Sequence, residues 1–260
     1  MFTSNPFVEL SASISPVFIQ AYIVIMILLV AGGTLFDIFH KKSAKYFFDN
    51  WRKTKNNQTR QVGGGEIVSL AVRTAVVDGL MSGEFCNARR RIAHLLTMHG
   101  FLAYMITTVI MVFGYSTPTT TPAILPLLWY IGGLLVCVGG YGFWFFIRVD
   151  VAAEGNSRFR VVRADLFILS LLASVTLGLI WGCMQATGYS WTNLLFGLYL
   201  IATTVLFGSV PWSKFSHMFY KPAAALEKRI TEADGSRSNL PAPADKPEIF
   251  GSARQLPRNY

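Results

Sequence analysis

The sequence is poor in charged residues and lacks the motifs of common soluble enzymes. Charged residues occupy only 14% of its 260 positions, against roughly 25% in typical globular proteins. The three cysteines are scattered singly, which argues against a disulfide scaffold, an iron–sulfur cluster and a zinc site. No GxSxG, HExxH or P-loop sequence occurs, and no carboxylate pair lies inside an apolar segment. Hydrolase chemistry and proton-coupled transport are therefore not predicted.

Apolar residues are abundant: they make up 52% of the chain, and the mean hydropathy is +0.43. They form five stretches of about 20 residues, the length at which a helix crosses a hydrocarbon core of about 30 Å. The stretches run over 14–36, 92–114, 123–147, 166–187 and 191–210. The first predicted span continues past its apolar stretch to residue 39. The predicted fold is an all-α integral membrane protein, a bundle of five transmembrane helices.

The placement of charge predicts the orientation of this bundle. All 23 lysines and arginines fall in 40–91, in 148–163 or after residue 211, and the connections 115–122 and 188–190 carry none. Because basic residues are retained on the cytoplasmic side, the N-terminus is predicted outside and the C-terminus in the cytoplasm, in the inner membrane. The formal charge of +9 is then mostly a consequence of this orientation, because the basic residues are kept on one side of the membrane. Nucleic-acid binding is not predicted, because no basic helix or aromatic-interleaved motif supports it.

The remaining segments follow from this topology. Residues 66–82 have helical periodicity but carry three ionisable groups, which predicts a helix at the cytoplasmic surface. Trp129 and Tyr130, near the outer end of the third span, are predicted to anchor the chain at the membrane interface. The predicted organisation is an outer N-terminus 1–13, a first span 14–39, a basic loop with interfacial helices 40–91, a bundle 92–210, a cytoplasmic segment 211–231 and a disordered tail 232–260.

Histidines are the remaining chemical signal. All four, His40, His94, His99 and His217, lie at or near the predicted cytoplasmic ends of spans. A histidine in a membrane segment is costly and is therefore a functional candidate. The five residues between His94 and His99 correspond to about 140° of helical rotation, so the two side chains face different neighbours.

A histidine from the second span and one from the end of the fifth could hold a haem b between them. His217 and one of the two histidines of the second span, His94 or His99, would then be the axial ligands of the iron. Arg91 and Lys214 lie beside them in sequence and could pair with the haem propionates. The spacing leaves open the alternative that these histidines are polar residues in the headgroup region.

Two segments carry a resemblance to a known family. They are Gly83–Gly114, which contains Cys86-Asn87 and the run Arg-Arg-x-x-His ending at His94, and residues 210–224 (VPWSKFSHMFYKPAA). Over about residues 65–228 the chain resembles membrane cytochromes b, the membrane subunits of quinone-interacting oxidoreductase complexes. These include nitrate reductase gamma subunits and tricarballylate-utilisation cytochromes. Within that family it looks most like the membrane anchor of dissimilatory adenylylsulfate reductase.

This resemblance implies a non-catalytic subunit that transfers electrons between quinone and a cytoplasmic oxidoreductase of sulfur metabolism, docked on the basic face. It implies His94 and His217 as haem ligands, with His99 lining the haem or quinone pocket. Tyr199 stands where the family has a further histidine, so at most one haem b is expected, near the cytoplasmic side. The alternatives are a purely structural anchor without haem and, third, a small channel or transporter.

Overall fold

The computed structural model describes residues 2–40, 49, 51–52, 56–83, 85, 87–117, 121–148, 161–162, 165–188, 190–212 and 217–236. Over these residues the regular structure is helical, without strands, which confirms the all-α prediction. The helices are α1 Pro6–Leu10, α2 Pro16–His40, α3 Gly64–Arg73, α4 Ala88–Gly114, α5 Ile124–Gly142, α6 Leu166–Gln185, α7 Thr192–Gly208 and α8 His217–Ala233. The π-helical segments Thr74–Leu80 and Phe143–Ile147 continue α3 and α5.

The apolar stretches of the sequence form α2, α4, α5, α6 and α7. Four of these helices are long and apolar enough to cross a membrane, namely α2, α4, α5 with its π-helical extension, and α6. The helix α7 has only 17 residues, or about 26 Å at 1.5 Å per residue. It ends at Gly208 because a turn follows, in which the Trp212 amide donates to the Ser209 carbonyl at 2.9 Å.

The chain divides into two compact units. The first, called the bundle below, comprises Met1–Lys41 and Asn87–His217 and contains the five apolar helices. The second unit comprises Lys42–Cys86 and Met218–Tyr260, with α3 and nearly all of α8.

In the bundle, α4 lies along α5 and α6 lies along α7. The α4–α5 contact depends on glycine, because a Cβ added at Gly100 would lie 2.6 Å from the Gly132 carbonyl oxygen. A Cβ at Gly139 would similarly lie 2.7 Å from the Ala93 carbonyl oxygen. Small residues that allow such close backbone approach are typical of helix pairs in membranes, where packing replaces the hydrophobic driving force.

The N-terminal residues close one end of the bundle. Asn5 caps α1 by accepting from the Phe7 amide at 3.0 Å, and its side-chain amide donates to the Tyr115 carbonyl at 3.2 Å. The ring of Phe7 packs against Trp129 and Trp181. The N-terminus therefore lies at the same end of the bundle as the connection that follows α4.

Basic residues mark the other end of the bundle. Arg148, after the π-helical extension of α5, donates from Nε to Asp165 Oδ1 at 3.1 Å and makes a second, short contact through its guanidinium. The same guanidinium lies 4.0 Å above the Trp144 ring. This ion pair joins the end of α5 to the start of α6.

The second unit is held together by polar contacts. Arg229 on α8 donates to Asp78 Oδ2 through Nε at 2.9 Å and through its terminal nitrogen at 2.8 Å. The carbonyl of Asp234, just after α8, accepts from the Thr59 amide, the Thr59 hydroxyl and the Arg60 amide. These contacts join α8 both to the segment that follows α3 and to the loop that precedes it.

Candidate functional site

The site residues predicted from the sequence lie mainly on the first turns of α4. Asn87 starts this helix: its side-chain oxygen accepts from the amides of Arg89 at 2.9 Å and Arg90 at 3.3 Å. An asparagine at this position satisfies amides that would otherwise lack intrahelical partners. Arg89 is exposed, whereas Arg90 and Arg91 are half-buried. The helix therefore begins with three consecutive guanidinium groups, one of them on an exposed residue.

His94 and His99 differ in their surroundings, as their rotation around the helix predicts. His94 is half-buried, whereas His99 is exposed. The Nδ1 atom of His99 lies 3.0 Å from the Leu95 carbonyl oxygen, one turn earlier on the same helix. With a proton on Nδ1, His99 donates to its own helix and leaves Nε2 available for another group.

The structure does not test the predicted haem ligands as a pair. His217 is the first residue of α8, but its side chain, like Lys214, lies outside the described residues. Among the side chains that are described, no group of three or more His, Cys, Asp or Glu could hold a metal ion. A haem b on His94 and His217, with His99 at a quinone pocket, stays a prediction from the sequence.

A buried polar network lies inside the bundle. Tyr199 stands where the resemblance to membrane cytochromes b places a further histidine. Its hydroxyl accepts from the Tyr104 hydroxyl at 3.3 Å. Tyr104 stacks on Trp129 with 4.9 Å between ring centroids, and the Trp129 indole donates to the Thr108 hydroxyl at 2.9 Å. Nearby, the hydroxyls of Ser174 and Thr203 are 2.7 Å apart. Polar and aromatic residues inside apolar helices are the signal that could have indicated it.

The prediction that Trp129 and Tyr130 are interfacial anchors is wrong. Trp129 has no exposed surface and Tyr130 is 7% exposed. Both rings turn towards the bundle interior, where a Cβ added at Gly182 would lie within 3 Å of each of them. The absence of a side chain at Gly182 makes room for these rings, a contact that position along the span does not reveal.

The second unit contains a cavity of about 410 Å³. Its lining includes the carboxylates of Glu227 and Asp234 and the carboxamides of Gln58 and Gln61. Burial raises the pKa of Glu227, and its Oε1 atom has no hydrogen-bond partner. Asp234 is 4% exposed, and its Oδ1 accepts from the Ser236 amide at 2.8 Å. Two carboxylates in its lining disfavour an anionic ligand, so this cavity suits a neutral or cationic group.

With this geometry in place, the chain can be compared with known proteins. Residues 52–238 match the family model described as "Citrate utilization protein B". The chain belongs to the citrate utilization protein B family. The match extends from before α3 to after α8, so it includes four of the five apolar helices and leaves out α1 and α2.

A curated member of the citrate utilization protein B family gives the same result. The chain is 26% identical over 202 residues to citrate utilization protein B of Escherichia coli. The alignment covers 73% of this chain and 52% of the relative, so the chain spans about half the length of that protein. No solved structure matches the chain.

Membership in the citrate utilization protein B family corrects the resemblance described above. The two segments that carried the resemblance, Gly83–Gly114 and 210–224, both lie inside the matched region 52–238. The assignment to membrane cytochromes b, to an adenylylsulfate reductase anchor and to sulfur metabolism is therefore wrong. The alternative of a purely structural anchor has no support either. Arginine and histidine at the ends of apolar helices satisfy general requirements of membrane proteins, so short motifs of this kind do not distinguish families.

Proposed function

We propose that this chain is a membrane-embedded component of citrate utilization. The observation that carries the proposal is the family match over 52–238, which includes four apolar helices of the bundle. The similarity to the Escherichia coli protein over 73% of this chain supports the same function. Four helices of membrane-spanning length support an embedded component over a soluble one.

We further propose that all five apolar helices, α7 included, cross the inner membrane, with the N-terminus outside. An odd number of spans puts the two chain ends on opposite sides. The contact between Asn5 and the Tyr115 carbonyl supports this arrangement, because both segments belong to the side that lacks lysine and arginine. Because α7 alone is shorter than the hydrocarbon core, we infer that the turn at Ser209 and the residue before the helix, Trp191, cover the rest of the membrane thickness. A tryptophan suits a membrane interface.

The basic side is where this component would meet acidic partners. Citrate is a polycarboxylate, and guanidinium groups pair with carboxylates through two parallel hydrogen bonds. Arg89, Arg90 and Arg91 supply such groups at the start of α4. The cavity of the second unit, with Glu227 and Asp234 in its lining, is unsuited to citrate because its carboxylates repel an anion. A soluble partner that docks on the basic side also stays a prediction.

Deletion of the gene in its host tests the proposal. With citrate as sole carbon source, the deletion strain is expected to stop growing or to grow several-fold more slowly, and growth on succinate is expected to be normal. A plasmid copy of the full chain should restore growth on citrate. Unchanged growth of the deletion strain on citrate would overturn the proposed function.

A double substitution tests the arginine cluster separately. Arg89→Gln with Arg90→Gln is expected to reduce growth on citrate while the amount of chain in the membrane fraction stays the same. Lys228→Gln is the matched control, because it removes a cation from the exposed side of α8. Equal growth of the double variant and the control would exclude a specific role for these arginines.

A further inference from the structure

The helix α3 and its π-helical continuation expose a row of aliphatic side chains. Val68, Val72, Val76 and Leu80 follow one another at intervals of four residues, and 63%, 58%, 42% and 51% of their surfaces are exposed. Isolated exposed aliphatic residues are ordinary on a protein surface. Four in regular succession along one helix form a continuous apolar stripe, which is typical of an interaction surface.

The change from α- to π-helix keeps this stripe on one side. In an α-helix a step of four residues exceeds one turn of 3.6 residues by about 40°, so the row would drift around the axis. A π-helix bonds residue i to i+5 and has more than four residues per turn, so the same step falls short of a turn. The Met81 amide makes such a bond to the Val76 carbonyl at 2.9 Å. The segment Thr74–Leu80 therefore reverses the drift that accumulates between Val68 and Val72.

The opposite side of the same helix is already occupied. Thr74 is 2% exposed, and its hydroxyl donates to the Leu70 carbonyl at 2.8 Å. Asp78 forms the ion pair with Arg229 of α8. Thr74 follows Val72 by two positions, and Asp78 follows Val76 by two. Two positions correspond to about 200° of rotation around an α-helix, so these side chains lie on the side opposite the stripe. The second unit thus packs through one side of this segment and leaves the aliphatic stripe outside.

We propose that this stripe, Val68, Val72, Val76 and Leu80, lies in the membrane interface, with its side chains at the boundary between headgroups and acyl chains. Arg73, exposed beside the stripe, would then reach the lipid phosphates. An amphipathic helix buries its apolar side about 5–10 Å into this boundary. The inference rests on the membrane placement in the proposed function.

Two observations favour lipid over a second copy of the chain. The chain continues from Met81 to the first residue of α4, Ala88, seven residues later. At about 3.5 Å per residue this connection spans at most about 25 Å, so the chain itself keeps Met81 within that distance of the first residue of α4. Residues 40–91 also contain eleven lysines and arginines but only four acidic residues. This excess would repel a second copy and attracts anionic lipid.

Site-directed spin labelling of the full chain in vesicles tests the inference. Cys86, Cys137 and Cys183 are replaced by serine, and single cysteines at Val68, Val72, Val76 and Leu80 carry a nitroxide. The vesicles contain phosphatidylcholine and phosphatidylglycerol, and collision rates are measured with oxygen, which concentrates in lipid, and with a water-soluble nickel complex. The ratio of oxygen to nickel collisions at the stripe is expected to be at least threefold higher than at Glu232, an exposed residue of α8.

A label at Leu134 on α5 separates failure of this inference from failure of the membrane placement. Leu134 is 58% exposed in a helix of membrane-spanning length. A lipid-like ratio at Leu134 with a water-like ratio at the stripe would overturn the interface inference alone. Water-like ratios at both would overturn the membrane placement and the inference with it. Protection of the stripe from both reagents would mean that protein covers it, which also overturns the inference.

Charge on the stripe provides a second measurement. Val72→Asp with Val76→Asp is expected to raise nickel collisions at a label on Val68 several-fold, because carboxylates are driven out of the lipid boundary. Ser69→Asp, on an exposed neighbouring position, is the matched control and should change them little. An unchanged helical circular dichroism spectrum verifies the fold of each variant. Equal collision rates in the double variant and the control would contradict lipid contact.

Discussion

The bundle and the second unit differ in the contacts between their helices, although an ion pair occurs in each, Arg148–Asp165 in the bundle and Asp78–Arg229 in the second unit. In the bundle, α4 and α5 meet through backbone at Gly100 and Gly132, and tyrosine, tryptophan and hydroxyl side chains pair inside. In the second unit, an ion pair joins Asp78 and Arg229, and a carbonyl at the end of α8 accepts three donors. The glycine contacts of the bundle are of the kind found between apolar helices, whereas the contacts of the second unit depend on charged and polar groups.

Glycine illustrates the difference between the two units. Gly100, Gly132, Gly139 and Gly182 of the bundle lie where a Cβ would approach a neighbouring helix within 3 Å. The run Gly63–Gly65 of the second unit has open space around it. Gly63 caps α3, and Gly64 and Gly65 are its first two residues. The number of glycines in a segment therefore says little about packing until the neighbours are known.

Substitution of Gly100 by leucine is expected to have the largest effect on stability. A Cβ alone would lie 2.6 Å from the Gly132 carbonyl oxygen, and backbone cannot move aside as a flexible side chain can. We expect a loss of about 3 kcal/mol or more in the free energy of unfolding, seen as a lower midpoint of thermal unfolding in detergent.

Gly197→Ala is the control for this substitution, because nothing lies within 4 Å of its added Cβ. Alanine is favoured over glycine in a helix, so this variant should be unchanged or slightly more stable. Equal midpoints for Gly100→Leu and Gly197→Ala would contradict the close α4–α5 contact.

Removal of the Asp78 carboxylate is expected to loosen the second unit. The two side chains of the Asp78–Arg229 pair are 12% and 19% exposed, so Asp78→Ala leaves a guanidinium largely buried without its partner. We expect a cost of about 2 kcal/mol. Hydrogen exchange should accelerate in residues 64–80 and 217–233 and stay unchanged in α4 and α5.

Glu66→Gln is the matched control, because the Arg60–Glu66 pair is exposed, with 57% and 39% of its side chains accessible. Its loss is expected to cost at most about 0.5 kcal/mol. Faster exchange in α4 and α5 of Asp78→Ala would show that the two units do not unfold independently.

Thr108→Val tests the hydrogen bond inside the bundle. Valine has a similar shape but leaves the Trp129 indole N–H buried without its acceptor. We expect a loss of about 1 kcal/mol, measured as a lower midpoint of thermal unfolding in detergent. Thr187→Val, at an exposed position beyond α6, should have little effect. A midpoint equal to that of the wild type would mean that this bond adds no stability.

The smallest expected effect concerns pH and Glu227. Burial raises the pKa of this carboxyl above its ordinary value of 4.5, so the folded second unit favours the protonated form. Stability is therefore fully present below the unfolded pKa and is lost as the pH rises through the folded value. Glu227→Gln removes this loss, so its advantage over the wild type should be near zero at about pH 4 and should grow towards pH 7.

Glu232→Gln provides the comparison for this pH dependence, because its carboxylate is on the exposed side of the same helix. Urea unfolding, followed by hydrogen exchange of residues 217–233, measures both variants at each pH. A constant difference between Glu227→Gln and the wild type at all pH values would contradict the role of burial.

Sequence reasoning predicted the helices well and their neighbours poorly. Five apolar stretches became five helices, but the last is shorter than predicted because its chain turns at Ser209. Trp129 was assigned to an interface and is fully buried, because hydropathy describes a position along a helix and not the direction of its side chain. The family was misassigned because motifs at helix ends reflect shared membrane requirements, whereas the match over 52–238 uses most of the chain.

The sequence by itself determined which segments are apolar and long, and that all lysines and arginines fall outside them. Both features follow from the order of the residues along the chain and from the free energy of transferring each residue into the membrane. The tertiary structure decided which glycines are contacts, which aromatic rings pair, and that a π-helical segment aligns Val68 with Leu80. Those features depend on the rotation of each helix about its axis and on the neighbour it meets, which local composition does not specify.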